Sequence, residues 1–280
     1  MIRLRSILFT PADNPKLIEK AANSNADGVC IDLEDSVPAG SKQAARELIE
    51  QGASALKQAN KQVLIRINNT LQDIDLDINN LTNNCDILVL PKLHGPGQLK
   101  SIGDRLEGLA QAGQCDLQCI AMIEDARALQ ALRLRPDFTH SRVMGLTVGA
   151  EDLSNSLACE PDSDLIVHCF NELALVASSI GVQLLGFPAT IGEYKDLEAY
   201  EQQVKTGRRA GARGAFAIHP NQLAVLNQVF SATEAEQKWA KAVVAAFEAA
   251  RANDKAVAAY DGKMIDQPVY LRALAVLKNA

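Results

Sequence analysis

V-M-G-L-T-V-G-A-E-D-L-S, from Val143 to Ser154, reads as an apolar strand that stops at a glycine and hands over to two acids at a helix start. C-I-A-M-I-E-D, from Cys119 to Asp125, has the same grammar one unit earlier. If the two strands are parallel neighbours, Glu124 emerges beside Glu151 and Asp152. Close carboxylates repel unless a cation or a proton lies between them. The rest of the chain is therefore read for a fold that repeats this unit and for a pocket around that cation.

Working outward, eight short apolar or β-branched runs appear: Ser6 to Thr10, Gly28 to Leu33, Val63 to Ile67, Ile87 to Leu90, Gln118 to Ile123, Arg142 to Val148, Gln183 to Gly186 and Gly214 to Ile218. Crossover helices fit between them at Asn14 to Asn25, Ser41 to Ala59, Gly97 to Ala112, Asp164 to Ile180 and Asp196 to Arg209. Strand and helix alternate, which predicts a parallel sheet. Eight repeats in 280 residues favour closure into a (β/α)₈ barrel, an α/β fold that takes roughly 250 residues. No G-x-G-x-x-G follows the first strand, so the dinucleotide-binding alternative lacks its signature. The barrel is expected over residues 1–230. From Thr233 the pattern changes: Trp239, Val243, Val244 and Phe247 recur at helical spacing, and D-G-K-M-I-D-Q-P leads into an apolar helix from Val269 to Leu277. Residues 231–280 are thus a C-terminal helical extension, either a packing cover or a lid or arm that reaches a neighbouring subunit.

Composition narrows the function classes. Hydrophobic residues make up 48% and charged residues 22%, an ordinary globular balance. The net charge of −6, from 28 basic and 34 acidic side chains spread along the chain, argues against a general nucleic-acid surface. No apolar run nears the roughly 20 residues that span a bilayer, and the amino terminus is too short in its apolar part for a secretory signal, so a cytoplasmic location without membrane attachment is expected. The six cysteines, Cys30, Cys85, Cys115, Cys119, Cys159 and Cys169, are scattered and read as free thiols rather than as zinc ligands.

In barrel enzymes the chemistry sits at the carboxyl ends of the strands. Here those ends carry Thr10-Pro11, Glu34-Asp35, Arg66 with Asn68, Pro91-Lys92, Glu124, Glu151-Asp152 and His219-Pro220. Glu124 and Asp152 offer hard oxygens from separate strands, which suits magnesium with waters and substrate oxygens completing its shell; the competing reading is acids favoured by helix dipoles, as for Asp125 and Glu151. Arg66 lies inside the run L-I-R-I-N, where a charge is costly unless paired, and its guanidinium could grip a carboxylate or enolate oxygen, pair with Glu34 or Asp35, or do both. Glu34 and Asp35 could also hold metal-bound waters. Lys92 would suit a Schiff base only if its pKa were lowered. His219 reads equally as a base or as part of a structural turn.

The strings R-S-I-L-F-T-P, A-D-G-V-C-I-D-L-E-D-S-V, L-I-R-I-N, L-P-K-L, M-I-E-D-A, G-A-E-D-L-S, A-I-H-P-N-Q and G-K-M-I-D-Q-P, in this order from Arg5 onward, resemble the citrate lyase β-subunit-like enzymes. These stand with the malyl-CoA and citramalyl-CoA lyases in the HpcH/HpaI aldolase superfamily. The resemblance implies a (β/α)₈ barrel, a homotrimer or hexamer, and Mg²⁺ on Glu124 and Asp152. It further implies Arg66 on the 2-oxo acid portion, and Asp266 reaching an adjacent subunit's site as acid/base. Arg5 and Lys20 become candidates for a CoA phosphate. The implied reaction is cleavage, or formation, of a 3-hydroxyacyl-CoA thioester, giving an acyl-CoA and a 2-oxo acid. Alternatives are a citrate lyase β subunit acting on a citryl thioester of an acyl carrier protein, a metal-dependent aldolase using free pyruvate, and a CoA-binding or scaffold paralogue without turnover. L-L-G-F-P-A-T-I-G-E-Y-K-D after the seventh strand departs from the more acidic pattern of many relatives, which leaves the acyl group and oxo acid open.

Overall fold

The computed structural model describes residues 3–135 and 140–278. Eight parallel strands, β1 (Ser6–Pro11), β2 (Gly28–Asp32), β3 (Gln62–Arg66), β4 (Ile87–Leu90), β5 (Gln118–Ile123), β6 (Val143–Val148), β7 (Gln183–Leu185) and β8 (Ala215–Ala217), pair in chain order, and β8 pairs back onto β1. Between β7 and β8 the bonds Arg213 N to Leu184 O, 3.0 Å, and Gly186 N to Gly214 O, 2.8 Å, complete the ring. The expected (β/α)₈ barrel is the observed fold. Its strands read as nearly continuous apolar runs because helices cover one face and the barrel interior the other.

The crossover helices are α1 (Pro15–Ala22), α2 (Lys42–Glu47), α3 (Ile49–Gln58), α4 (Leu71–Asn79), α5 (Pro96–Gln111), α6 (Ala126–Leu134), α7 (Ala150–Leu157), α8 (Asp164–Ser179), α9 (Leu197–Arg209) and α10 (Pro220–Val229). Two differences from the sequence reading have local causes. The single helix expected from Ser41 to Ala59 divides at Leu48, whose N–H bonds to Ala45 O at 3.1 Å, tightening the last turn of α2 before α3 restarts. The acid-rich segment L-Q-D-I-D-L-D-I-N, which shows no marked apolar stripe, is α4, started by Thr70 accepting from Asp73 N.

Strand periodicity positions the site. Ile7, Cys30, Leu64, Val89, Met122, Leu185 and Phe216 form one buried cluster drawn from seven of the strands. Side chains alternate along a strand, so the next residues on the same face as Cys30, Leu64 and Met122 are Asp32, Arg66 and Glu124. The register places Cys30 against Leu64 and Asp32 against Arg66. An apolar plug thus carries a charged layer directly above it, at the carboxyl end.

Contacts divide the chain into a barrel unit ending at Asn227 and a C-terminal unit beginning at Gln228. Within the latter, α11 (Glu234–Arg251) opens on a reciprocal cap between Thr233 and Glu236, then β9 (Ala258–Tyr260) and β10 (Lys263–Ile265) form a hairpin before α12 (Gln267–Lys278). The hairpin was not foreseen. Its turn is Asp261-Gly262, both at positive φ (49° and 69°), the conformation that Asp-Gly favours between antiparallel strands. Ala240, Val243, Phe247, Ile265 and Ala273 form this unit's core, Phe247 stacks on Tyr270 at 4.7 Å, and Arg272 lies over Trp239 at 4.9 Å.

Candidate active site

Arg66 is the hub of the charged layer. Its Nε and Nη2 donate to the two carboxylate oxygens of Asp32, both at 2.7 Å, and Nη1 stands 3.1 Å from Glu34 Oε2. The guanidinium also lies over the Phe9 ring at 4.6 Å. Burial opposes the charge of Arg66, but the bonds and charge of Asp32, with that of Glu34, outweigh it and raise the pKa. Burial likewise pushes Asp32 upward, and the Arg66 fork reverses the sign, leaving its carboxyl below the usual value. Asp32 accepts in addition from Glu34 N at 2.9 Å and Ser36 N at 3.2 Å, so it shapes the loop as well as the arginine. The sequence reading paired Arg66 with Glu34 or Asp35 and missed Asp32. The alternation from Cys30 was the signal that could have found it.

The loop after β2 carries Glu34 and Asp35. Lys42 Nζ donates to Leu33 O at 2.9 Å and Glu34 O at 3.1 Å, fixing the main chain that presents both acids. Lys92 closes the cluster from β4: its Nζ is 2.5 Å from Glu34 Oε1 and 3.2 Å from Asp35 Oδ1. Burial disfavours the ammonium, yet these acids raise its pKa overall. That is the opposite of what a Schiff-base lysine needs, so Lys92 is a structural cation here. Burial raises the Glu34 pKa despite Arg66 and Lys92.

Glu124, 7% exposed, stands just beyond β5 with Oε2 accepting from Lys92 N at 2.5 Å, and Lys92 adopts a left-handed φ of 46° there. Burial lifts its pKa to about 7, Glu34 and Asp152 push the same way, and the Lys92 N–H and Arg66 pull down. Across from it a glycine is required: a Cβ at Gly149 would overlap the Glu124 carboxylate and Cγ. Asp152 follows in the first turn of α7. Arg66, Asp35, Glu124, Glu151 and Asp152 line one cavity of about 180 Å³ with an apolar wall that includes Phe9, Phe187 and Phe216.

The other expected residues lie elsewhere. Asp125 caps α6 through Arg127 N and Ala128 N. Arg5 precedes β1 at the amino end of the barrel and is bound to Asp27 at 2.6 Å, and Lys20 is exposed in the last turn of α1. Neither joins the cluster around Arg66. Asp266 lies in the C-terminal unit, where its Oδ1 accepts from Val269 N at 3.1 Å at the start of α12. His219 resolves as a turn residue: Nδ1 accepts from Asn221 N at 3.2 Å and the ring stacks on Tyr194 at 4.9 Å. The six cysteines are free thiols.

No group of three or more His, Cys, Asp or Glu side chains among the described residues is arranged to hold a metal by itself. Two carboxylates facing a small cavity, one of them buried and raised in pKa by that burial and by the acids near it, fit a hard divalent cation that keeps waters or takes substrate oxygens. Among the described residues no helix is long and apolar enough to cross a membrane.

Fold and pocket define a (β/α)₈ barrel with an acid-rich cavity at the carboxyl ends of its strands. Residues 5–220 match the HpcH/HpaI aldolase/citrate lyase family model, and the chain belongs to that family. It is 26% identical to the citrate lyase subunit beta of Leuconostoc mesenteroides subsp. cremoris over 99% of this chain and 93% of that protein. It is 27% identical to a (3S)-malyl-CoA thioesterase of Cereibacter sphaeroides over 99% and 94%. Among solved structures it is similar to the Mycobacterium tuberculosis protein CitE in complex with magnesium, acetoacetate and coenzyme A, with a TM-score of 0.74, 26% identity and coverage of 98% and 97%.

Proposed function

We propose that this protein is a Mg²⁺-dependent carbon–carbon lyase that cleaves, or in reverse forms, a 3-hydroxyacyl-CoA thioester, giving an acyl-CoA and a 2-oxo acid. One observation carries the reading: among the described residues that line the cavity, which is sized for a small acid, the acids Asp35, Glu124, Glu151 and Asp152 stand with a single basic side chain, Arg66. Glu124 and Asp152 would hold the ion. When bound, the ion supplies Lewis-acid polarisation of the substrate's oxygens.

The remaining work falls to the chain's own groups. Arg66 has five N–H donors; two go to Asp32 and Nη1 stands near Glu34 and Asp35, and the N–H groups that remain would bind the carboxylate of the oxo acid. Because Asp32 grips it from the side, the guanidinium is oriented before the substrate arrives, and no reorganisation is needed as the C–C bond aligns. Glu34 and Asp35, tied to Lys92, screen the cavity rim and would accept hydrogen bonds from bound water. The apolar wall keeps bulk water from the thioester enolate.

Protonation of that enolate, or its formation in the condensing direction, is assigned to Asp266 from a neighbouring copy of the chain in a homotrimer or hexamer. The arm reading of residues 231–280 follows from that assignment. The test is a screen of purified protein against malyl-, citramalyl- and citryl-thioesters, with and without Mg²⁺, reading 2-oxo acid release. Release that depends on Mg²⁺ and on free CoA thioesters supports the proposal. Release only from a citryl thioester on an acyl carrier protein favours a citrate lyase subunit, and release of free CoA without oxo acid overturns the lyase assignment.

A further inference from the structure

The motif A-I-H-P-N-Q enters none of the steps above, yet its last residue is among the most enclosed polar groups in the barrel. Gln222, fully buried, spends its whole amide on two loops. Its Oε1 accepts from Ile218 N at 2.9 Å and His219 N at 3.1 Å, at the end of β8. Its Nε2 donates to Ile191 O at 2.8 Å and Glu193 O at 2.9 Å, in the loop after β7. The same loop supplies Phe187, Ala189 and Ile191 to the cavity wall. Two further contacts fix it: Phe187 meets the buried Tyr200 edge-on at 5.3 Å, and a Cβ at Gly207 would overlap Gly186 O and Phe187. Tyr194 adds its stack on His219.

We propose that this loop is the selectivity element of the pocket, that Gln222 is its positioning residue, and that the pocket consequently takes a 2-oxo monocarboxylate bearing a small apolar group, of the pyruvate kind, in preference to glyoxylate or a dicarboxylate. The inference rests on the lyase reading and sharpens it. Among the described residues lining the cavity, Arg66 is the only basic one, and its guanidinium already faces Asp32, Glu34 and Asp35. Lys92 is committed to Glu34 and Asp35. A second carboxylate on the oxo acid would lie among like charges or against Phe187, Ala189 and Ile191, and no further basic side chain among this chain's described lining residues is there to pair with it. A methyl group on the same carbon would fill apolar space that glyoxylate leaves empty. The pinned main chain matters because a loose loop could swing a cation such as Lys195 inward, or admit water to a second carboxylate.

The experiment measures condensation of acetyl-CoA with pyruvate, glyoxylate and oxaloacetate by the full chain with Mg²⁺, and in parallel the dissociation constant of each oxo acid by calorimetry. Pyruvate is expected to exceed glyoxylate by about 10-fold and oxaloacetate by about 100-fold in kcat/KM, the scale set by one methyl group and by an unpaired polar group. Gln222→Leu, with folding checked by circular dichroism, is expected to shrink the pyruvate-to-oxaloacetate ratio by about 10-fold while Mg²⁺ affinity holds, an outcome a general loss of stability does not produce. Ile191→Arg, which does not depend on the clamp, is expected to shift the same ratio toward oxaloacetate. Glyoxylate or oxaloacetate used as well as pyruvate, failure of pyruvate to bind, or a Gln222→Leu protein in which all three substrates fall equally overturns the inference. If the binding order holds and no condensation occurs, the lyase reading fails and the selectivity stands.

Discussion

The two ends of the barrel treat charge differently. At the amino ends of the strands these acids are each paired directly with a cation: Asp27 with Arg5, Asp86 with Lys57 at 2.5 Å, and Glu107 and Asp116 together with Arg142. Lys61 completes the set by donating to the Ser24 and Ala26 carbonyls. At the carboxyl ends Asp32, Glu34 and Asp35 share Arg66 and Lys92, and burial, with the charges of Glu34 and Asp152, raises the pKa of Glu124 to about 7. Half-exposed pairs of the first kind contribute little and need nothing more. A surplus of buried acid is stable only if something positive arrives, which is how stability and function separate along one strand axis.

The comparison breaks most readily at Glu124. Glu124→Gln should lower kcat/KM by about 10³ while the metal-free protein keeps or gains thermal stability, because the substitution removes repulsion along with a ligand; steady-state kinetics and a melting curve check both. Arg66→Lys keeps the charge and loses the fork to Asp32, so a fall of about 10² in kcat/KM with a raised KM for the oxo acid is expected. Asp266→Asn should lower kcat by about 10² and leave Mg²⁺ affinity and melting temperature near those of the parent, since Asn caps a helix as well as Asp does. Equal loss of turnover and metal affinity would remove Asp266 from the proposed chemistry.

A pH profile sharpens the same contrast with a smaller effect. The folded pKa of Glu124, about 7, lies above its ordinary value of 4.5. The folded state therefore holds that proton more tightly than the unfolded state. The stability this gives is fully present below about pH 4.5 and is lost as pH rises to about 7, on the order of 3 kcal/mol in the metal-free protein. Melting curves in a chelator should show this slope in the parent and lack it in Glu124→Gln. The smallest effect belongs to the amino end: Lys57→Met should cost less than about 1 kcal/mol and leave kcat/KM unchanged.

Much of this was legible from residue order because barrel strands expose their chemistry at one end. Eight apolar runs alternating with helical segments indicated the number of strands, and the ionisable residues at their ends drew attention to Glu34, Asp35, Arg66, Glu124 and Asp152. Partners were harder to read than positions. Asp32 looked like part of a strand, since a carboxylate inside an apolar run is intelligible only once the register sets it against Arg66. Lys92 was read for its nucleophilicity, whereas two acids from the loop after β2, distant in sequence, hold it as an ammonium. Gln222 stood in the quoted string A-I-H-P-N-Q, but its role was not legible because its four bonds join segments about thirty residues apart. The Asp261-Gly262 hairpin was masked by reading the tail for helical period alone.

The central claim is that the surplus of acid at the carboxyl end exists to take up one divalent ion. Calorimetric titration of Mg²⁺ into the parent, Glu124→Gln and Asp152→Asn proteins, each with saturating pyruvate, addresses it directly. One ion per chain in the parent, and affinity reduced by about 100-fold in each variant, is the expected result. Unchanged Mg²⁺ affinity in both variants would contradict it.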